Sequence, residues 1–149
     1  MLWNSRKTII IAGCGRLGST LAGILSEEGH SVTVIDRDNS VFGRLPTSFS
    51  GFELLGDATD PDILLEAGIE KTAMVIATTN SDNVNCMIAQ MASRIYGVGE
   101  VYARFNNLDK RHLIVGMNIK PIFPSLLSLQ EFRRQSVLDI PVLDEEGMI

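Results

Sequence analysis

The sequence predicts an α/β fold: a doubly wound parallel sheet of six strands, ordered 3-2-1-4-5-6, with helices on both faces. Three observations predict it. Short apolar runs alternate with helix-period segments along nearly the whole chain. The runs are close to continuously apolar, as in strands with neither face in water. The stretches between them have room for the right-handed helical crossovers that parallel strands need.

Lys7 to Ala12 reads as the first buried strand. Leu17 to Glu28 reads as a helix with Leu17, Leu21, Ile24 and Leu25 on one face, stopped by Gly29. Ser31 to Asp36 is the second strand, and Asn39 to Leu45 a short helix that ends before Pro46. Phe52 to Leu55 is the third. Asp60 and Pro61 then supply an N-cap and a first-turn proline for a helix that ends near Gly68. Ala73 to Thr78 is the fourth strand. The next helix, Asp82 to Tyr96, carries Val84, Ile88, Met91 and Ile95 on one face. Val101 to Phe105, a helix over Leu108 to Met117, and Ile119 to Phe123 complete the six strands, and Ser125 to Arg134 forms a last helix. The expected division is one α/β domain over 1–135 and a short acidic tail over 136–149, with Asp144, Glu145 and Glu146 clustered in the tail.

The chain has 149 residues, one ordinary domain, which leaves no room for the separate substrate module of a complete dehydrogenase. Lys and Arg total 13 against 18 Asp and Glu, a net charge of −5, so no basic stripe for nucleic acid is expected. Two cysteines, Cys14 and Cys86, make no disulfide framework and have no paired metal-ligand spacing; a reducing cytosol suits them. The start, Met1 to Thr8, does not read as a secretory signal, and no apolar run approaches the roughly 20 residues of a membrane span. Direct membrane insertion is therefore not expected.

The chemistry lies in Gly13-Cys14-Gly15-Arg16-Leu17-Gly18, a G-x-G-x-x-G between a strand and a helix. Gly13 permits the tight turn, Gly15 lets a pyrophosphate approach the backbone, and Gly18 lets helix and strand pack closely. The helix start offers unpaired N–H groups and a partial positive charge. Asp36 ends the second strand, 18 residues after Gly18. There a carboxylate accepts hydrogen bonds from both ribose hydroxyls and repels a 2′-phosphate. The sheet is thus Rossmann-like, and the expected cofactor is NAD(H) or an adenine nucleotide (ATP, ADP or AMP). Arg16 is read as a phosphate clamp, against the alternative of a solvated arginine. Arg37 either stacks on a base or points to water. Cys14 is a small residue tolerated in a turn unless its pKa is lowered.

The run Gly13 to Ser19, with Gly29 to Asp36, resembles the nucleotide-binding lobe of RCK domains of the TrkA-N type, found in potassium channels and in regulators of Trk/Ktr potassium uptake. Gly56-Asp57-Ala58-Thr59, Ala77 to Asn85, and Val101 to Asn106 are similar to further segments of that family. The resemblance covers roughly Lys7 to Leu129. It implies a cytoplasmic, non-enzymatic regulator that senses NAD(H) or adenine nucleotide, assembles as a homodimer or ring, and sits at the inner face of the membrane through a potassium transporter subunit. It places Arg16 near the terminal phosphates, Asp36 on the ribose, Asp57 and Ala58 beside adenine, and Thr78 and Asn80 on the phosphate side. Complete regulators of this kind carry a second ligand lobe, for which this sequence shows no counterpart.

From the residues alone, Asp57 is either a ligand at the carboxyl end of a strand or a cap on its own turn. Ser81 and Asp82 cap the next helix. Arg104, inside a strand, needs an acidic partner or an assembled neighbour. Leu126, Leu127, Leu129 and Phe132 give the last helix an apolar face, packed within the chain or docked on another subunit. The competing function is an NAD-dependent oxidoreductase, or a cofactor-binding fragment of one. No Tyr-x-x-x-Lys supports it: Glu100 stands four residues after Tyr96, and Asn106 four after Tyr102.

Overall fold

The computed structural model describes residues 5–144 and 147–148. Six strands, β1 (Thr8–Ala12), β2 (Ser31–Asp36), β3 (Phe52–Leu55), β4 (Met74–Ala77), β5 (Glu100–Arg104) and β6 (Lys120–Ile122), form one sheet in the order β3-β2-β1-β4-β5-β6. Every pair is parallel. Ile11 lies between Val34 and Ile76, so branched side chains stack across the three central strands. The predicted topology is the observed one.

Alternation along the strands splits the core in two. Ile9, Ile11, Val32, Val34 and Ile76 face α1 (Arg16–Glu27) and a 3-10 helix, Asn39–Arg44, through Ala22 and Phe42. Ile10, Ala12, Val75, Ala77, Val101 and Ala103 face α2 (Pro61–Glu66) and α3 (Asp82–Gln90), through Leu64, Ile88 and Ala89. Leu126 of α4 (Pro124–Gln135) joins this second core.

The face of α1 differs from the expected one. Gly18, Ser19, Ala22, Gly23 and Ser26 are buried, whereas Ile24 is 53 % exposed. The cause is close packing. A Cβ on Gly18 would lie 1.9 Å from the Gly13 carbonyl oxygen, and one on Gly23 would lie 2.6 Å from Pro46. The small residues let the helix press against the loop after β1 and against Pro46, while Leu21 and Leu25 pack along its flank.

The helix begun at Asp82 also departs from a plain α-helix. After Gln90 it continues as a π turn, Met91–Ile95, with the Tyr96 amide donating to the Met91 carbonyl at 3.1 Å. The wider turn shifts the helical phase of the residues after Met91. Ile88 and Met91 stay buried, but Ile95 is 68 % exposed. Met87 is also exposed, and Cys86 is buried. The helix expected over Leu108 to Met117 is a shorter 3-10 helix, Leu108–Ile114.

The expectation that no strand meets water fails at the sheet's edge. Phe52 and Leu55 of β3 are mostly exposed. α1 packs over β1 and β2, and α3 over β4 and β5, so on the edge strand β3 only Leu54 is partly covered. In α4 the apolar residues divide: Leu126 is buried and Leu129 half-buried, whereas Leu127 and Phe132 are exposed. Residues 136–142 have no regular structure, and Leu143–Asp144 pairs antiparallel with Gly147–Met148. Glu145 and Glu146 of the expected acidic cluster, and Met1 to Asn4, lie outside the described residues. Among the described residues no helix is long and apolar enough to cross a membrane.

Candidate functional site

The strand order reverses between β1 and β4, and a cleft opens there at the carboxyl ends of the strands. Its volume is about 540 Å³. Eight of the eleven residues singled out in the sequence line it: Gly13, Gly15, Asp36, Arg37, Asp57, Ala58, Thr78 and Asn80. Arg16, Leu17 and Gly18 do not. They form the first turn of α1, with Arg16 exposed, Leu17 half-buried and Gly18 beneath the loop.

The three glycines have different reasons to be glycine. Gly13 has φ of +105°, and a Cβ there would meet the backbone of Thr78 and Thr79 at 2.8–2.9 Å. Gly18 is pressed against the Gly13 carbonyl. Gly15 is under no such demand: its φ is −79°, and a Cβ would meet nothing within 4 Å. Packing of the chain therefore explains Gly13 and Gly18 but not Gly15, which leaves open space above the start of α1. No side chain caps that helix at Gly15, so its first amides keep donor capacity for an anion.

Asp36 is held ready beside this opening. One carboxylate oxygen accepts from the Cys14 amide at 2.8 Å and the other from the Asp38 amide at 2.9 Å. A carboxylate has about four acceptor positions, so each oxygen retains capacity toward the cleft. Cys14 itself is fully buried, its thiol 3.5 Å from the Val41 carbonyl. Burial, with the Asp36 and Glu53 charges adding to it, pushes this thiol up to about 11. It is a neutral packing group at physiological pH, not a reactive thiolate.

Asp57 caps its own turn. One of its oxygens accepts from the Thr59 amide at 2.9 Å and the Thr59 hydroxyl at 2.7 Å, which holds the carboxyl below the usual range. Its other oxygen stays available in the cleft wall beside the buried Ala58. Thr78 is turned inward, its hydroxyl against the Ala12 and Gly13 carbonyls at 3.3 and 3.2 Å. Asn80 is exposed at the rim, its side-chain oxygen 3.5 Å from Arg104 Nη2. Arg104 donates from Nη2 to the Thr79 carbonyl at 2.9 Å, while its buried Nε has no partner among the described residues. No acidic side chain pairs with Arg104 among the described residues: it binds a backbone carbonyl of the neighbouring loop.

Residues that the sequence did not single out also line the cleft, among them Asp38, Val41 and Arg44 at the 3-10 helix after β2. The Asp38 side chain caps that helix through the Ser40 amide at 2.9 Å. The Asp38-x-Ser40 cap signal was readable, but the way the helix folds back over the cleft was not.

The family model of the TrkA-N domain matches residues 9–123. The chain belongs to the TrkA-N domain family. Over 96 residues it is 47 % identical to a Trk system potassium uptake protein TrkA from Streptomyces coelicolor, a match covering 64 % of this chain and 43 % of that protein. This TrkA-N domain thus spans less than half the length of that relative. It superposes on the TrkA-N domain of the inner membrane protein YbaL from Escherichia coli with a TM-score of 0.74 at 20 % identity, over 90 % of this chain and 100 % of that one. The likeness to GsuK bound to ADP has a TM-score of 0.68 at 25 % identity, over 87 % of this chain and 34 % of that one. GsuK has a structure bound to NAD as well.

Proposed function

We propose that this TrkA-N domain is the nucleotide-sensing part of a cytoplasmic regulator of potassium uptake. It binds NAD(H) or an adenine nucleotide in the cleft and passes its occupancy, through a homodimer or ring, to a membrane potassium transporter subunit. The observation that carries the reading is the pairing of Gly15 with Asp36. A glycine unneeded by the fold leaves space over an uncapped helix start, and a pre-oriented carboxylate with spare acceptors stands beside it. Phosphates and a ribose diol match those two features in turn. The potassium uptake role is supported by the 47 % identity to a potassium uptake protein. Residues 1–135 form the nucleotide-binding domain in this reading, and 136–149 its tail.

The mechanism is a population shift. A nucleotide moves the assembly only by binding one of its conformations more tightly than the other. Two measurements test the reading. In titration calorimetry, Asp36→Ala weakens every nucleoside ligand at least tenfold, since hydrogen bonds to a charged group contribute about 1.5–3 kcal/mol each. In the organism that encodes the chain, deleting the gene slows growth at limiting potassium, and the Asp36→Ala gene fails to restore it. Growth of the deletion strain indistinguishable from the parent at limiting potassium would overturn the transport role. Steady turnover of NADH with any substrate would replace regulation by catalysis.

A further inference from the structure

The loop between β4 and α3 supplies Thr78, Thr79, Asn80 and Ser81 to the cleft. It has no regular structure, so its conformation is set by what grips it. The grip is on Thr79. The Thr79 amide and hydroxyl donate to the Asn85 side-chain oxygen at 2.8 and 2.7 Å. The Thr79 carbonyl accepts from the Asn85 side-chain nitrogen at 3.0 Å and from Arg104 Nη2 at 2.9 Å. Both lone pairs of that oxygen are then in use. Asn85 is fully buried, and its nitrogen also donates to the Arg104 carbonyl at 2.9 Å, which ties the grip to the end of β5.

Fixing the Thr79 carbonyl fixes the amide that follows it. There are no cis peptide bonds, and a trans peptide points its C=O and its N–H in opposite directions. With the carbonyl held toward Asn85 and Arg104, the Asn80 amide is turned away from them. That amide donates to no acceptor among the described residues, and Asn80 lines the cleft, whereas Arg104 does not.

The fold alone does not account for a guanidinium behind this peptide. Asn85 already gives the Thr79 carbonyl a donor. No acidic side chain pairs with Arg104 among the described residues, and its buried Nε has no partner there. Burying a donor without replacing its bonds to water is costly, and natural chains break such rules chiefly at functional positions. The other near neighbour of Arg104 Nη2 is the Asn80 side-chain oxygen, at 3.5 Å, so the guanidinium spans the two residues of one peptide. A positive charge behind an N–H also favours an anion in front of it.

We infer that Arg104 is a positioning residue of the cleft: it orients the Thr79–Asn80 peptide so that the Asn80 amide donates to a phosphate of the bound nucleotide, and it touches no ligand itself. This rests on the reading of the cleft as a nucleotide site.

Amide NMR spectra and calorimetry of the purified chain with ADP test this. In the parent, ADP should shift both the Cys14 amide, which is bonded to Asp36, and the Asn80 amide. In Arg104→Met, ADP should bind at least about fivefold more weakly, part of the worth of a hydrogen bond to a charged group. At saturation the Cys14 amide should move as in the parent and the Asn80 amide less than half as far. Arg104→Lys, which keeps a charged donor, should bind within threefold of the parent and regain most of the Asn80 shift. Should Arg104→Met show no melting transition, Arg104→Gln, neutral and shorter, carries the same comparison. Loss of the Cys14 shift together with the Asn80 shift means a merely structural role and overturns the inference. An unchanged ADP affinity, or an Asn80 amide that ADP does not move in the parent, overturns it too, with the nucleotide site left intact. Failure of ADP to bind the parent at millimolar concentration removes the site itself, and the inference with it.

Discussion

At the scale of single residues the most telling position is Gly15, because its neighbours make no demand on it. Its φ and ψ, −79° and −160°, are open to alanine, and a methyl group there would touch no protein atom within 4 Å. Gly15→Ala should therefore leave the melting temperature within about 2 °C of the parent. If phosphates approach the backbone at this point, the same methyl stands in their path. Affinity for ADP should fall at least tenfold, or about 1.4 kcal/mol. Calorimetry beside a thermal melt separates the two effects, and unchanged affinity with an unchanged melt would take the phosphates away from Gly15. The three glycines were legible in the sequence as a set. Each also had its own expected role there; what stands opposite each one was not legible, and for Gly18 that is a carbonyl of the same loop.

At the scale of elements, residue patterns suffice where a signal is local. The caps at Asp60 and Ser81 are formed by their own side chains, to the Asp62 and Val84 amides. Patterns fail where an element's buried face is set by how closely another element approaches. In α1 hydrophobicity pointed to Leu17, Leu21, Ile24 and Leu25; Leu21 and Leu25 do pack against the core from the flank, but the fully buried line is Gly18, Ala22 and Gly23, because small residues allow the closer approach. In the helix from Asp82 the 3.6-residue period held until the π turn displaced Ile95, and nothing in the residue pattern announces such a turn. The close seating of α1 has a measurable consequence. A methyl at position 18 would overlap the Gly13 carbonyl and lie 2.8 Å from the Thr78 hydroxyl, so the helix would have to back away from the loop after β1. Overpacking of this kind costs about 1–3 kcal/mol, more than the roughly 1 kcal/mol by which alanine outdoes glycine in a helix. Gly18→Ala should lower the melting temperature by several degrees and weaken ADP as well. This contrasts with Gly15→Ala, for which only binding changes. A stabilised Gly18→Ala variant would mean that α1 is not seated against the loop as described.

At the scale of the whole molecule, a nucleotide bound as proposed would act on the fold through the strand ends. The loops after β1, β3 and β4, and the end of β2, all contribute to one cleft, and these strands are the centre and one flank of the sheet. A ligand spanning them joins segments far apart in sequence, so it should stabilise the fold as a unit. For a ligand that binds only the folded chain, saturation at 100 times its dissociation constant adds about 2.7 kcal/mol. Each kcal/mol moves the midpoint of a chain this size by roughly 2–4 °C. ADP at that concentration should therefore raise the melting temperature by roughly 5–11 °C, and the rise should grow with the logarithm of ADP concentration. Asp36→Ala, melted at the same ADP concentration, should show a much smaller rise, because the carboxylate proposed to join the β2 end to the ligand is gone. A rise as large in Asp36→Ala as in the parent would place the nucleotide somewhere other than this cleft. Scanning fluorimetry across an ADP series on the two proteins is enough to decide.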